Sequence, residues 1–119
     1  MAQDRPTASE LLIAVADFLR EEAVPALDRA DPRLGFQMRV AVNALAILER
    51  EGRLGPAADV REHDRLVRLL DRDGTLEDLN RELARQLRVG ERDESDASLM
   101  AHLDATVADK IAIANPKWR

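Results

Sequence analysis

The longest apolar stretch of the chain covers residues 36–48 and is interrupted only by Gln37, Arg39 and Asn43. A surface helix has one apolar and one polar side, whereas a helix that is apolar all round is enclosed by other elements. We therefore predict that residues 33–51 form the central helix of a small all-α domain. Asp31 and Pro32 supply a cap and a first-turn proline at its start, and Gly52 is the expected stop.

Helix caps and apolar spacing predict further helices on both sides of this one. The first begins at the capping box Thr7–Glu10, in which the hydroxyl and the carboxylate each accept a bond from a free backbone amide. Pro25 is expected to end this helix or to bend its last turn. The remaining predicted helices span about 56–72, 75–90 and 96–114, the last one capped by Ser95 or Asp96.

The connections between these segments are short, which favours antiparallel neighbours. No stretch shows the alternation of apolar and polar residues that is typical of a strand. We therefore predict an all-α fold, a four- to five-helix up-and-down bundle around the central helix at about 33–51. The length of 119 residues predicts a single domain, 1–119, with a short C-terminal tail at 115–119.

Charge and composition argue against several classes of function. The net charge of −5 is a poor match to nucleic acid, whose sequence-independent binding depends on neutralising phosphates. The chain has no Cys, so it has neither a disulfide framework nor a thiolate metal site. No signal-peptide pattern and no apolar run of ~18–20 residues is present. We expect a cytoplasmic protein that binds neither nucleic acid nor membrane.

Asn43 is the first candidate for a functional residue, because an amide on an apolar helix is costly unless it is paired. In one interpretation, Asn43 and Arg39 line a polar cleft that binds an anion or a carbonyl, with Lys110 as a further ligand-binding residue. In the other, Asn43 is structural and bonds to the backbone of a neighbouring loop or helix end.

The two histidines and the acidic segment 91–96 are weaker candidates for a functional site. His63 lies beside Glu62 and Asp64, but adjacent helical residues do not share a face, so we predict no metal site and a surface role. His102 should border the core with Ser98 one turn before it, yet a nucleophile–base pair would lack an orienting acid. The acidic segment lacks the register of a calcium loop. No cofactor is predicted.

The segment 75–90 carries a narrow leucine stripe that we predict as an interface. Its members, with the C-terminal tryptophan as an added contact, are Leu76, Leu79, Leu83, Leu87 and Trp118. Two interpretations of the tryptophan remain open: it folds back onto the bundle, or it offers a stacking surface to a partner.

Four segments carry a resemblance to a known family: Arg5-Pro-Thr-Ala-Ser-Glu-Leu-Leu, Phe18-Leu-Arg-Glu-Glu, Arg39-Val-Ala-Val-Asn-Ala-Leu and Lys110-Ile-Ala-Ile-Ala-Asn-Pro-Lys-Trp. Together they resemble an uncharacterised bacterial family of short all-helical proteins, a domain of unknown function. Such proteins are encoded beside, or joined to, aminoglycoside-phosphotransferase-like kinases and acyl-CoA dehydrogenases. The resemblance implies an accessory role for a small-molecule kinase in acyl metabolism, and it supplies no catalytic residues.

Taken together, the residues and the resemblance favour a non-catalytic interaction module whose partner is a phosphotransferase-like kinase. The number of leucines also makes a homo-oligomer possible, since one small core buries few of them. The alternative is a small-molecule-binding bundle with its cleft near Asn43. A helix-turn-helix around Gly52–Gly55 or Gly74 is a third hypothesis, and the acidic charge argues against it.

Overall fold

The structure, a computed structural model, describes residues 5–117, and we found no strand in that range. The helical elements are α1 (Ala8–Phe18), a π-helical turn (Leu19–Ala23), α2 (Val24–Ala30), α3 (Pro32–Leu70), α4 (Leu76–Arg88) and α5 (Ala97–Ala114). The predicted all-α class is therefore confirmed. The chain divides into two compact units, unit 1 (Met1–Arg53) and unit 2 (Leu54–Arg119). The single-domain assignment stays a prediction.

Four of the five predicted helix starts are confirmed, and each of the four depends on a bond within one turn. The start predicted near residue 56 is wrong, because α3 runs through that position. Thr7 Oγ1 accepts from the Glu10 amide at 3.1 Å, and the Glu10 carboxylate accepts from the Thr7 amide at 2.8 Å. Asp31 accepts from the Arg33 amide at 3.1 Å. Thr75 caps α4, and Asp96, the second of the two predicted candidates, caps α5.

Pro25 bends the first helical segment without ending it. The backbone widens into the π-helical turn just before the proline, where the Val24 amide donates to the Leu19 carbonyl. Pro25 then occupies the first turn of α2, a position that tolerates the missing N–H.

The predicted break at Gly52 is wrong, since α3 continues through Gly52 and Pro56 to Leu70. An ion pair bridges this segment from Glu49 to Arg53 at 2.9 Å, one helical turn apart, which supports the helical backbone.

Unit 1 is an antiparallel helical hairpin. Ser9 near the start of α1 donates to the Glu49 carboxylate at 2.6 Å, and Asp28 in α2 pairs with Arg39 early in α3. Its buried cluster consists of Ala16, Val24 and Val42. α1 and α2 cover only one side of α3, so our prediction that the central helix is enclosed is wrong for unit 1: Phe36 is 62% exposed and Val40 56%.

Unit 2 contains the C-terminal part of α3 with α4 and α5. Its core cluster is aliphatic and consists of Leu66, Leu70, Leu79, Leu83 and Leu99. Leu76 packs against this cluster from the side, and Leu87 is more exposed. The predicted interface stripe of α4 is thus placed largely in the core, because α3 and α5 cover it. Trp118 lies outside the described residues.

Candidate functional site

An uncovered apolar surface of unit 1 lies on α3, on the side opposite the buried Val42. We call it the outer α3 face and define it by Phe36, Val40, Ala44 and Leu48, which follow each other at intervals of one helical turn. The three large side chains are 54–62% exposed, and Ala44 is exposed as well. A continuous apolar stripe of this kind marks an interaction surface, whereas scattered exposed apolar residues are normal.

A second apolar stripe, the outer α1 face, consists of Leu11, Val15 and Phe18. These residues are 51%, 46% and 61% exposed, and their spacing of four and three places them on one side of α1. Ala16, which packs in the unit 1 cluster, points elsewhere. Unit 1 therefore presents two apolar stripes that its own fold leaves uncovered.

Arg39 and Asn43, two of the predicted cleft residues, both lie on the surface of unit 1. Arg39 Nη1 is paired with Asp28 Oδ2 at 2.6 Å, and about half of its side chain is exposed. Asn43 is exposed, so its amide carries no burial cost and the expected need for an internal partner disappears. The third predicted residue, Lys110, lies in unit 2, beside a shallow depression of about 360 Å³ on α5. Ligand binding by these residues stays a prediction.

His63 is tied to the connection between α3 and α4. Its Nε2 lies 2.8 Å from the Gly74 carbonyl, which makes Nε2 the donor and fixes the ring. The side chain of His63 is half-exposed, whereas we predicted a surface position. Among residues 5–117 we found no group of three or more His, Asp or Glu side chains that could hold a metal ion.

His102 is more deeply buried than predicted, at 4% exposed, and joins a polar cluster in unit 2. Its Nδ1 accepts from Arg65 Nε at 3.1 Å, and Arg65 Nη2 donates to Thr106 Oγ1 at 3.2 Å. Burial, and then the positive charge of Arg65, lowers the pKa of His102 below its ordinary value. The neutral ring therefore acts as an acceptor that positions Arg65.

This cluster borders a cavity of about 320 Å³ lined by Arg65, Arg68, Leu69, Ser98, Ala101 and His102. Ser98 and His102 reach the same cavity, but within residues 5–117 no hydrogen bond joins their side chains, so a nucleophile–base pair is not assembled. Sequence reasoning missed Arg65, because its pairing with His102 depends on how α3 packs against α5. Chemically, the two guanidinium groups make the cavity a place for an anionic group.

The His102–Arg65 bond predicts that acid weakens unit 2. The pKa of His102 in the folded state lies below 6.5, its ordinary value, so its contribution is present above that pH and is lost as the pH falls through the folded-state pKa. The free energy of unfolding, measured in urea between about pH 7 and pH 5, should fall more steeply in the wild type than in His102→Gln. Equal slopes in the two proteins would contradict this role.

Within the described range 5–117, no helix has the length and apolar character that crossing a membrane requires. The longest helix, α3, carries many charged residues, most of them after residue 48.

Comparison with known proteins identifies a family and nothing more specific. The family model of a domain of unknown function, DUF6285, matches residues 25–118, which is well over half of the chain. Searches of curated proteins and of solved structures gave no match. The matched range includes all of α3, α4 and α5. The chain therefore belongs to the DUF6285 family.

Proposed function

We propose that the chain is a non-catalytic interaction module that serves as an accessory to a phosphotransferase-like kinase linked to acyl metabolism. The observation that carries this proposal is the outer α1 face, where Leu11, Val15 and Phe18 remain about half exposed. The kinase is suggested by the family resemblance of the sequence, and the uncovered stripe is the surface that we assign to it.

The outer α1 face has the character of a small binding epitope. It offers an aromatic anchor, Phe18, next to two aliphatic side chains. No charged residue lies between these three on that side of the helix. Burial of large apolar side chains contributes ~1.5–3 kcal/mol each, and immobilising the two proteins offsets part of this gain. An affinity in the micromolar range would be consistent with such a stripe.

The alternative function, a small-molecule cleft near Asn43, has less support. The Arg39 guanidinium already pairs with Asp28, and Asn43 is exposed on the surface of unit 1. A cleft ligand would have to break the ion pair or bind beside it.

The interaction with a kinase can be tested by calorimetric titration of the full chain with a purified phosphotransferase-like kinase encoded in the same genome. Phe18→Asp should weaken the affinity at least tenfold, because a carboxylate replaces the apolar anchor. The matched control is Ile13→Asp, which makes a similar change at a residue that is 47% exposed on the other side of α1.

The control variant should bind the kinase as the wild type does. No binding of the wild-type chain at tens of micromolar would overturn the accessory role. If Phe18→Asp and Ile13→Asp weaken the affinity for the kinase equally, the outer α1 face is not the binding surface.

A further inference from the structure

The solvent side of α3 in unit 1 carries the spacing of a coiled-coil seam. Six residues follow each other at intervals of four, three, four, three and four: Arg33, Gln37, Val40, Ala44, Ile47 and Glu51. This is the spacing of the a and d positions of a helix that packs against another helix. Val40, Ala44 and Ile47 are apolar, as those positions require, whereas Gln37 is polar and the two end residues are charged. Five of the six residues are exposed and Ile47 is partly exposed. We call these six residues the α3 seam.

The charges of the α3 seam lie only at its ends. Arg33 stands at the N-terminal end and Glu51 at the C-terminal end, with no charged side chain between them in the seam. Within residues 5–117 neither side chain takes part in an ion pair. The midpoint between the two is residue 42, so the seam is electrically antisymmetric about its centre. Such a surface is complementary to itself when one copy is reversed.

We propose that this face binds a second copy of the chain, with the two α3 helices antiparallel about a two-fold axis near residue 42. Arg33 then lies opposite Glu51 of the second copy, and the same contact is repeated at the other end. Between them Gln37 lies opposite Ile47, and Val40 lies opposite Ala44. A parallel arrangement in register would place Arg33 against Arg33 and Glu51 against Glu51.

The antiparallel arrangement also gives the exposed Asn43 a partner. Asn43 is one residue from the midpoint, so the amides of the two copies meet close to the axis. An amide is both donor and acceptor, and two of them can therefore pair with each other across a two-fold axis. This pairing favours one register of the two helices over its neighbours.

The length of the α3 seam suits packing of one helix against another. The seam extends over about 27 Å at 1.5 Å per residue. Three large apolar side chains flank it and are also uncovered: Leu34 is 39% exposed, Phe36 62% and Leu48 54%.

A second copy would also enlarge the small core of unit 1. Its buried cluster consists of Ala16, Val24 and Val42, with three partly buried side chains packed against it, Leu19, Met38 and Leu45, which is little apolar burial for a hairpin of this length. Two hairpins that pack through α3 give a four-helix arrangement with a shared core.

The dimer can be tested by charge reversal in the full chain, with sedimentation equilibrium at low salt as the measurement. Arg33→Glu and Glu51→Arg each turn two attractive contacts into two repulsive ones, so each should raise the dissociation constant about tenfold. The double variant restores opposite charges and should return to within about threefold of the wild type. A mixture of the two single variants should form a heterodimer more tightly than either variant forms a homodimer.

Two further variants separate this effect from misfolding and from net charge. Arg88→Glu makes the same charge change on α4, outside the seam, and should leave the dissociation constant unchanged. Val40→Glu places two carboxylates in the centre of the seam and should give a monomer with unchanged helix content by circular dichroism.

A wild-type chain that is monomeric at about 100 μM would overturn the proposal, as would single and double reversals with the same dissociation constant. The proposal goes beyond the accessory function and fails separately from it. If the chain is a monomer that binds the kinase, the accessory function is supported and the dimer is not. If the chain is a dimer that shows the expected effects of charge reversal but does not bind the kinase, the dimer is supported and the accessory function is not.

Discussion

Replacing Leu66 with alanine should lower the free energy of unfolding by about 3–4 kcal/mol, the largest effect that we expect from a single substitution. Leu66 is fully buried and belongs to the same cluster as Leu79 and Leu99, each 1% exposed. The truncation loses the transfer energy of the removed methyl groups and leaves a cavity, because three helices fix the surrounding leucines. Domains of this size are stable by only ~5–15 kcal/mol, so much of the total would be lost.

Urea unfolding followed by far-UV circular dichroism measures this loss. The matched control is Val60→Ala, a truncation on the same helix and in the same unit at a side chain that is 60% exposed. It should change the free energy of unfolding by less than about 0.5 kcal/mol. Similar losses for Leu66→Ala and Val60→Ala would mean that the leucine cluster is not the core of unit 2.

The features that the sequence predicted well are those fixed within one helical turn. The Thr7–Glu10 capping box, the Asp31 cap and the Thr75 cap each involve a side chain and an amide two or three residues away. Such bonds depend only on residues that are close together in the sequence, and not on how the helices pack. The same holds for Gly90, whose left-handed backbone (φ of 81°) follows the end of α4.

The features that the sequence predicted poorly depend on which element covers which face. The leucines of α4 and the apolar residues of α3 both indicated a surface that needs burial. The apolar pattern of a helix does not show which other element covers that surface. In the structure the core of unit 2 takes Leu79 and Leu83, while Phe36 and Val40 in unit 1 remain exposed. Two of the leucines that we expected at an interface, Leu79 and Leu83, therefore lie in the core instead.

In the candidate site, too, the sequence does not show which residues come into contact. His102 was expected to border the core because of the apolar line beside it on α5. Its partner Arg65 lies 37 positions away, and no local pattern connects the two. Arg39 was expected to line a cleft, but its pairing with Asp28 follows from the hairpin of α2 and α3, which only the fold reveals.

Two glycines of α3 should respond to alanine in opposite directions. Gly35 is buried where α2 crosses α3, and a Cβ atom there would lie 3.1 Å from the Asp28 Cα and clash with the Asp28 carboxylate. The helices would have to separate and the ion pair with Arg39 would be disturbed, so Gly35→Ala should lower the free energy of unfolding by about 1–2 kcal/mol. Removing the carboxylate as well, in Asp28→Ala/Gly35→Ala, should reduce the additional loss caused by the alanine at position 35.

Gly52 is the matched control, because nothing lies within 4 Å of the Cβ atom that alanine would add there. α3 is helical at this position, and alanine is favoured over glycine in a helix by ~0.5–1 kcal/mol, so Gly52→Ala should raise the free energy of unfolding by that amount. If α3 instead ended at Gly52, as the sequence alone suggests, the alanine would remove the residue that favours the stop and would destabilise the chain. The sign of this one change, measured by urea unfolding, therefore tests whether the backbone is helical at Gly52.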